Sequence, residues 1–251
     1  MGVDHSERIA AVEREGAALV GAVASGDPGA VVPTCPDYSL DDLAAHVGEF
    51  CAFYADVLCE GGGRPKRPFD PDPGPRSRAA WLAPLVDHLV AELRASPPEL
   101  PVWTWHPTDH SAAFVARRCA NELAVHRVDA QLGAGLTPDP VEPALAADGI
   151  EEVFVLMAHA GTRTGDRQLD GDRRGQTLHL HGTDHDPAEW LLTFASDGVR
   201  VERAHARGDL ALRGAVSDLE MLLYQRPPVG PVEQIGDKAV LDLFHREFTF
   251  A

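Results

Sequence analysis

Apolar residues recur at three- and four-residue spacing through four stretches in the first half of the chain, the period of one helix face. They predict helices over about Asp4 to Ala24, Ser39 to Leu58, Ser77 to Ala95 and Ser111 to Leu132. Ser39, followed three residues later by Asp42, has the form of a helix N-cap with a reciprocal partner, and Pro84 bends the third helix or delays its start. The intervening segments, notably GGGRPKRPFDPDPGPR and SPPELP, are rich in Gly and Pro. Four amphipathic segments joined this way can close one shared core as a four-helix bundle. A fifth helical segment, about Pro143 to Thr164, carries Ile150, Val153, Phe154 and Met157 at helical spacing and leans on the bundle or bridges to the next domain.

From Gln176 the period falls to two. TLHLHGT alternates, EWLLTFASDGVRVERA reads as two strands around an Asp197-Gly198 turn, and DLALRGAV is a further strand. Helix returns over Ser217 to Gln225, then a short strand near Val232 to Ile235 and a last helix around Ala239 to Phe248. The expected fold is therefore an α domain followed by a small α+β domain, divided as 1–165 and 166–251.

Two polar residues break the pattern of the fourth helix. At 100° per residue Val115, Cys119, Leu123 and Val125 form one stripe, Glu122 and His126 fall near its centre, and Arg118 and Asp129 lie on its flank. Arg117, Asn121, Ala124 and Gln131 form the opposite side, which reads as solvated or loosely packed. An unpaired carboxylate in a core costs several kcal/mol, so Glu122 implies a partner: Arg118 at i−4, a water, or a metal cation. The second helix adds weight to the cation. Its stripe is Leu43, Val47, Phe50, Tyr54 and Val57, with His46 on the edge and Glu49 further toward solvent. Packing the two helices together sets His46 opposite Glu122 and His126. Two imidazoles and one carboxylate bind zinc or another divalent transition ion and leave a coordination position open, which implies catalysis. Asp129, three residues past His126, is placed to accept the imidazole's second N–H, unless it pairs with Arg127 or Arg118.

The chain has 251 residues, enough for two modest cores, with 22 basic and 39 acidic residues and a formal net charge of −17. That balance argues against a nucleic-acid backbone or an anionic membrane as partner. No stretch approaches the roughly 18 to 20 apolar residues of a membrane span, and MGVDHSERIAAVERE lacks the order of a signal peptide, so a cytoplasmic location is expected. Cys35, Cys51, Cys59 and Cys119 form no CxxC pair and read as reduced thiols, Cys119 as core filler. The chain has no GxSxG elbow, no P-loop and no GxGxxG after a strand. His179 and His181 project from one strand face with His185 following in a loop. Without a carboxylate at matching geometry that pair reads as a polar outer face rather than a metal site. His106, His110, His159 and His205 read as lone residues.

YSLDDLAAHVGEF followed by FVARRCANELAVHRVDAQ resembles the mycothiol-dependent maleylpyruvate isomerase family, and the similarity runs nearly the whole chain. The resemblance implies a DinB-like bundle that binds a divalent metal, usually Zn2+, and a C-terminal domain with a fold like that of sterol-carrier proteins. By motif the ligands are His46 in DLAAHVG, and Glu122 and His126 in ANELAVHR. Tyr38 stands where the family often has tryptophan, and RRCANE replaces the frequent RRMAHE. In LLYQRPP, Arg226 corresponds to an arginine of a frequent Gly-Arg pair and would bind a substrate anion. Gln225 precedes it here, and a solvent-exposed arginine is the competing reading.

The implied chemistry uses a Lewis-acidic metal to hold a thiol as thiolate near neutral pH. The thiolate of the cosubstrate mycothiol adds to the activated double bond of a small electrophile. Rotation and elimination then give isomerisation, and addition alone gives S-transfer. Two other classes remain: a non-haem iron oxygenase, although such sites usually sit on β-barrels, and a non-catalytic small-ligand-binding protein with a structural or vestigial metal.

Overall fold

The structure is a computed structural model that describes residues 2–60, 63–66, 69–164, 175–195 and 198–248. Contacts divide the chain into two compact units, Met1–Asp139 and Pro140–Ala251. The first is helical and the second mixes helices with a sheet, so the expected fold class, α followed by α+β, is the one observed. The division falls ahead of the fifth helix, whereas residue 165, where the sequence reading closed the first domain, lies outside the described residues.

The first unit contains α1 (His5–Ser25), a hairpin of β1 (Val31–Val32) and β2 (Cys35–Ser39), α2 (Leu40–Glu60), α3 (Arg78–Ala95) and α4 (Ala112–Gly133). The helices start where their caps dictate. The Asp4 side chain accepts from Glu7 N–H while Glu7 reaches back to Asp4 N–H. Ser77 accepts from Ala80 N–H and Ser111 from Phe114 N–H. At α2, Ser39 Oγ accepts from Asp42 N–H at 3.1 Å and Asp42 accepts from Ser39 N–H at 3.0 Å, satisfying two otherwise orphaned donors. The Ser39 hydroxyl, which also donates to the Asp42 carboxylate, and then the Ser39 N–H hold that carboxyl below its usual pKa. Arg78 at the start of α3 donates through two nitrogens to Asp41, tying the starts of α2 and α3 together.

In the bundle α1 packs on α3 and α4, and α2 packs on α3 and α4. This corrects one expectation about α4. Its far side is not solvated: Asn121, Ala124 and Gln131 are buried. With α1 on one flank and α2 on the other, α4 is covered almost all round, and Arg127 and Gln131 find partners inside. Arg127 donates to Glu15 of α1 at 2.9 Å and to Gln131 at 2.9 Å. The α2–α3 contact is close: a Cβ added at Gly48 would lie 2.4 Å from two ring carbons of buried Trp81. Gly48→Ala is therefore expected to destabilise the protein by about 2 kcal/mol through overpacking, read as a lowered denaturation midpoint. An unchanged midpoint would show that the helices separate without cost.

The second unit holds α5 (Pro143–Thr164), β3 (Thr177–Gly182), β4 (Glu189–Ala195), β5 (Gly198–Glu202), β6 (Leu210–Gly214), α6 (Val216–Leu223), β7 (Glu233–Gly236) and α7 (Ala239–Glu247). The sheet runs β5-β4-β3-β6-β7, with β3 and β6 parallel and every other pair antiparallel. Asp197 of the expected turn lies outside the described residues, but the strands it was expected to join do pair. Register places Leu178 between Leu192 and Leu210, and Leu180 between Trp190 and Leu212. All six are buried and make one apolar face. Helix α6 packs on β3 and β6, and on α5. The other face carries His179, His181 and Glu189, because side chains alternate along a strand.

Candidate metal centre

The α2–α4 contact brings His46, Glu122 and His126 together, with one ligand atom from each within 4.8 Å of the others. His126 Nε2 lies 3.3 Å and His46 Nε2 3.6 Å from the same oxygen, Glu122 Oε1. The two imidazoles meet edge to face, with centroids 5.1 Å apart. Arg118 does pair with Glu122, as the ion-pair reading holds, but through Oε2. Its guanidinium lies 5.6 Å from the centre of the Phe50 ring. One carboxylate oxygen is thus held by a cation while the other faces the imidazoles.

Asp129 is fully buried, and its Oδ2 lies 2.9 Å from His126 Nδ1. Thr34, in the turn between β1 and β2, donates to Asp129 Oδ1 at 2.5 Å, and Cys35 Sγ lies 3.9 Å from Oδ2. A carboxylate only accepts, so His126 Nδ1 donates to Asp129, and Nε2 is the nitrogen turned toward Glu122. Arg127, the other candidate partner of Asp129, instead turns to Glu15. Burial, then the neighbouring His126, pushes His46 below the usual imidazole pKa, with Arg118 adding to the effect and Glu49 opposing it. That shift favours the neutral imidazole, the form that can ligate. Two imidazole nitrogens and a carboxylate oxygen converging this closely have the ligand types and spacing that suit a divalent cation.

Two of the chain's thiols are poorly placed to act as nucleophiles. Cys51 and Cys119 are fully buried, and burial pushes the Cys51 thiol up to about 12. At pH 8 Cys51 is therefore almost wholly protonated, and alkylation by iodoacetamide, read by mass spectrometry, is expected to spare it until the protein unfolds. Labelling of native Cys51 as fast as of exposed Cys59 would contradict this.

Sequence reasoning missed Thr34. Its hairpin is short and contains two prolines, so no alternation announces it, and the contact with Asp129 spans 95 residues. Tyr38 of the same hairpin has its ring 6.0 Å from that of His46. Arg226 lies in the second unit just after α6. It is buried rather than exposed, donates to the Tyr224 carbonyl at 2.6 Å, and lies 6.0 Å from the Tyr224 ring centre.

Two further groups among the described residues bring ligand atoms equally close: His179, His181, Glu189 and His205, and, at the surface, Cys59, His88 and Glu92. The first corrects the reading of the histidine strand as a polar outer face lacking a carboxylate. Glu189 supplies one from the strand opposite, and His205 is not a lone residue. His106 and His110 do local work in their loop, His106 Nδ1 accepting from Asp109 N–H and His110 meeting Thr104.

The fold and site define a class: a helical bundle with a two-histidine, one-glutamate centre, followed by an α+β unit. Residues 9–131 match the family model described as mycothiol maleylpyruvate isomerase N-terminal domain, so the bundle carries that domain. Among solved structures, the crystal structure of the mycothiol-dependent maleylpyruvate isomerase is similar at a TM-score of 0.56 and 15% identity, covering 92% of this chain and 93% of that one. Its histidine-to-alanine mutant is similar at a TM-score of 0.57 with the same identity and coverage. At that identity the likeness shows the fold. No curated protein matches the chain. None of the described helices is long and apolar enough to cross a membrane.

Proposed function

We propose that the chain is a divalent-metal-dependent, mycothiol-using enzyme that adds the thiol to an electrophilic small molecule, with isomerisation or S-transfer as the outcome. His46, Glu122 and His126 would hold the cation, most simply Zn2+. The observation that carries the reading is the convergence of both histidine Nε2 atoms on Glu122 Oε1, with the second nitrogen of His126 anchored by buried Asp129. When bound, the cation supplies the positive charge that keeps an incoming thiol deprotonated near neutral pH.

The protein's own residues do the rest. Asp129 retains the Nδ1 proton, fixing the tautomer and orientation of His126. Arg118 holds Glu122 so that Oε1 stays turned toward the imidazoles. The buried, protonated Cys51 does not compete as a nucleophile, which favours an external thiol. Arg226, in the second unit, would bind a carboxylate anion, its buried guanidinium held by the Tyr224 carbonyl. In the reaction, the mycothiol sulfur bonds to one carbon of the electron-poor double bond and the π pair moves onto the conjugated carbonyl. The former double bond rotates, the pair returns, and the carbon–sulfur bond breaks to release the thiol. Without that last cleavage, protonation leaves a thioether adduct.

The test is incubation of Zn2+-loaded protein with mycothiol and maleylpyruvate, then with a panel of activated alkenes and epoxides, followed by NMR. A trans isomer with thiol conserved identifies an isomerase, and an adduct with thiol consumed a transferase. Turnover without thiol, or none with any electrophile, refutes the reading. In the first case oxygen uptake with bound iron would favour an oxygenase. In the second the site would be structural.

A further inference from the structure

The face of the sheet opposite the leucines carries a second cluster. Strand alternation projects His179 and His181 on the same side, and the β3–β4 register puts Glu189 directly across from His181. His205 arrives from the segment between β5 and β6. That segment comes back hard against β3: a Cβ at Gly208 would lie 3.0 Å from His179 N and 3.1 Å from His179 Cβ. Three imidazoles thus surround one carboxylate. His181 Nδ1 is 2.9 Å from Glu189 Oε1, while His179 Nε2 and His205 Nδ1 lie 3.3 Å and 2.6 Å from Oε2. The rings stand 5.7 to 6.1 Å apart, centre to centre.

We propose that His179, His181, Glu189 and His205 form a second metal site, separate from the one in the bundle, for a divalent ion of the zinc class. Imidazole nitrogen favours Zn2+, Co2+, Ni2+ or Cu2+ over Mg2+ and Ca2+, which take oxygen. Ligand atoms at about 2.0 to 2.1 Å from a tetrahedral ion stand about 3.3 Å from one another. The four here already lie within 4.8 Å, so small side-chain rotations close the shell. Three of them sit on paired strands, which hold their spacing. His179 is only 5% exposed, so its ring is held in place by packing. Arg213, the neighbour of His181 on β6, turns away to Glu233 at 3.8 Å. Four protein ligands fill a tetrahedron, so the ion is structural rather than catalytic. Its effect is to clamp the β5–β6 segment, through His205, onto the sheet.

The His205 side chain is 77% exposed, so His205→Ala tests the site without opening a core. Chelator-stripped full-length protein is titrated with Zn2+ by calorimetry and with Co2+ by visible absorption. Wild type is expected to take up two ions, His46→Ala one, and His46→Ala with His205→Ala none of comparable affinity, the second site weakening at least about tenfold. Zn2+ is also expected to slow amide exchange around residues 203–208 in His46→Ala protein, and not when His205 is replaced as well. The proposal is overturned if His46→Ala protein binds no Zn2+, or if adding His205→Ala leaves its uptake unchanged. Because the readout is taken with the bundle site disabled, failure here is separate from failure of the thiol chemistry.

Discussion

His46→Ala is expected to empty the bundle's metal centre and abolish thiol-dependent turnover while leaving the protein folded. In the proposed centre His46 would provide one of three protein ligands, and loss of an outer-shell partner alone typically weakens a metal site by about 10- to 100-fold. Loss of a ligand itself should exceed the upper end of that range. The fold has little at stake, because the side chain is 38% exposed and sits at the edge of the α2 stripe. Its removal should change stability by no more than about 0.5 kcal/mol. Asp129→Asn grades the same argument. The asparagine can still accept from Thr34 or from His126 Nδ1, but it lacks the charge, so the loss of affinity should fall within that outer-shell range. Metal content after dialysis, turnover and thermal midpoint are measured on the same samples. Full metal content in His46→Ala would remove His46 from the ligand set, whatever the activity does.

Arg127→Ala should cost about 3 to 5 kcal/mol, the largest stability loss expected of any substitution considered. Arg127 and Glu15 are both almost completely buried and lie 2.9 Å apart between α4 and α1. Arg127 also donates to Gln131 and to the Asp139 carbonyl. Removing the guanidinium leaves Glu15 charged in the core with only the half-exposed Arg14, at 3.1 Å from its other oxygen, to offset it. The measurement is a chemical denaturation midpoint. Glu15→Leu combined with Arg127→Met should recover most of the loss, since replacing both charges by packed apolar groups removes the penalty as well as the bond. A double variant no better than Arg127→Ala would mean that the cost lies in packing rather than in a stranded charge.

The bundle's triad was legible for a local reason. Glu122 and His126 are i,i+4 on one helix, so their shared face follows from helical geometry, and His46 follows from the stripe of a second helix whose cap is written as Ser39 and Asp42. Asp129 was legible too, three residues from the histidine it holds. The sheet cluster was not. His179 and His181 announce themselves by alternation, but their carboxylate partner comes from the strand across and their third histidine from a segment beyond β5. Nothing local to His205 distinguishes it from His106.

What the sequence by itself determined is the helices, the strands from β3 onward, the Ser39–Asp42 cap, and the pairs Arg118–Glu122 and Glu122–His126 within α4, because these depend on periods of 3.6 and 2 and on neighbours a turn away. The tertiary structure alone decided that α4 is enclosed on both flanks, that Thr34 reaches Asp129, that Arg127 pairs with Glu15, and that Glu189 gathers three imidazoles. Those outcomes depend on which helices pack together, on strand register and on where a loop returns. Each of these is set by the burial of the whole core rather than by any residue's near neighbours.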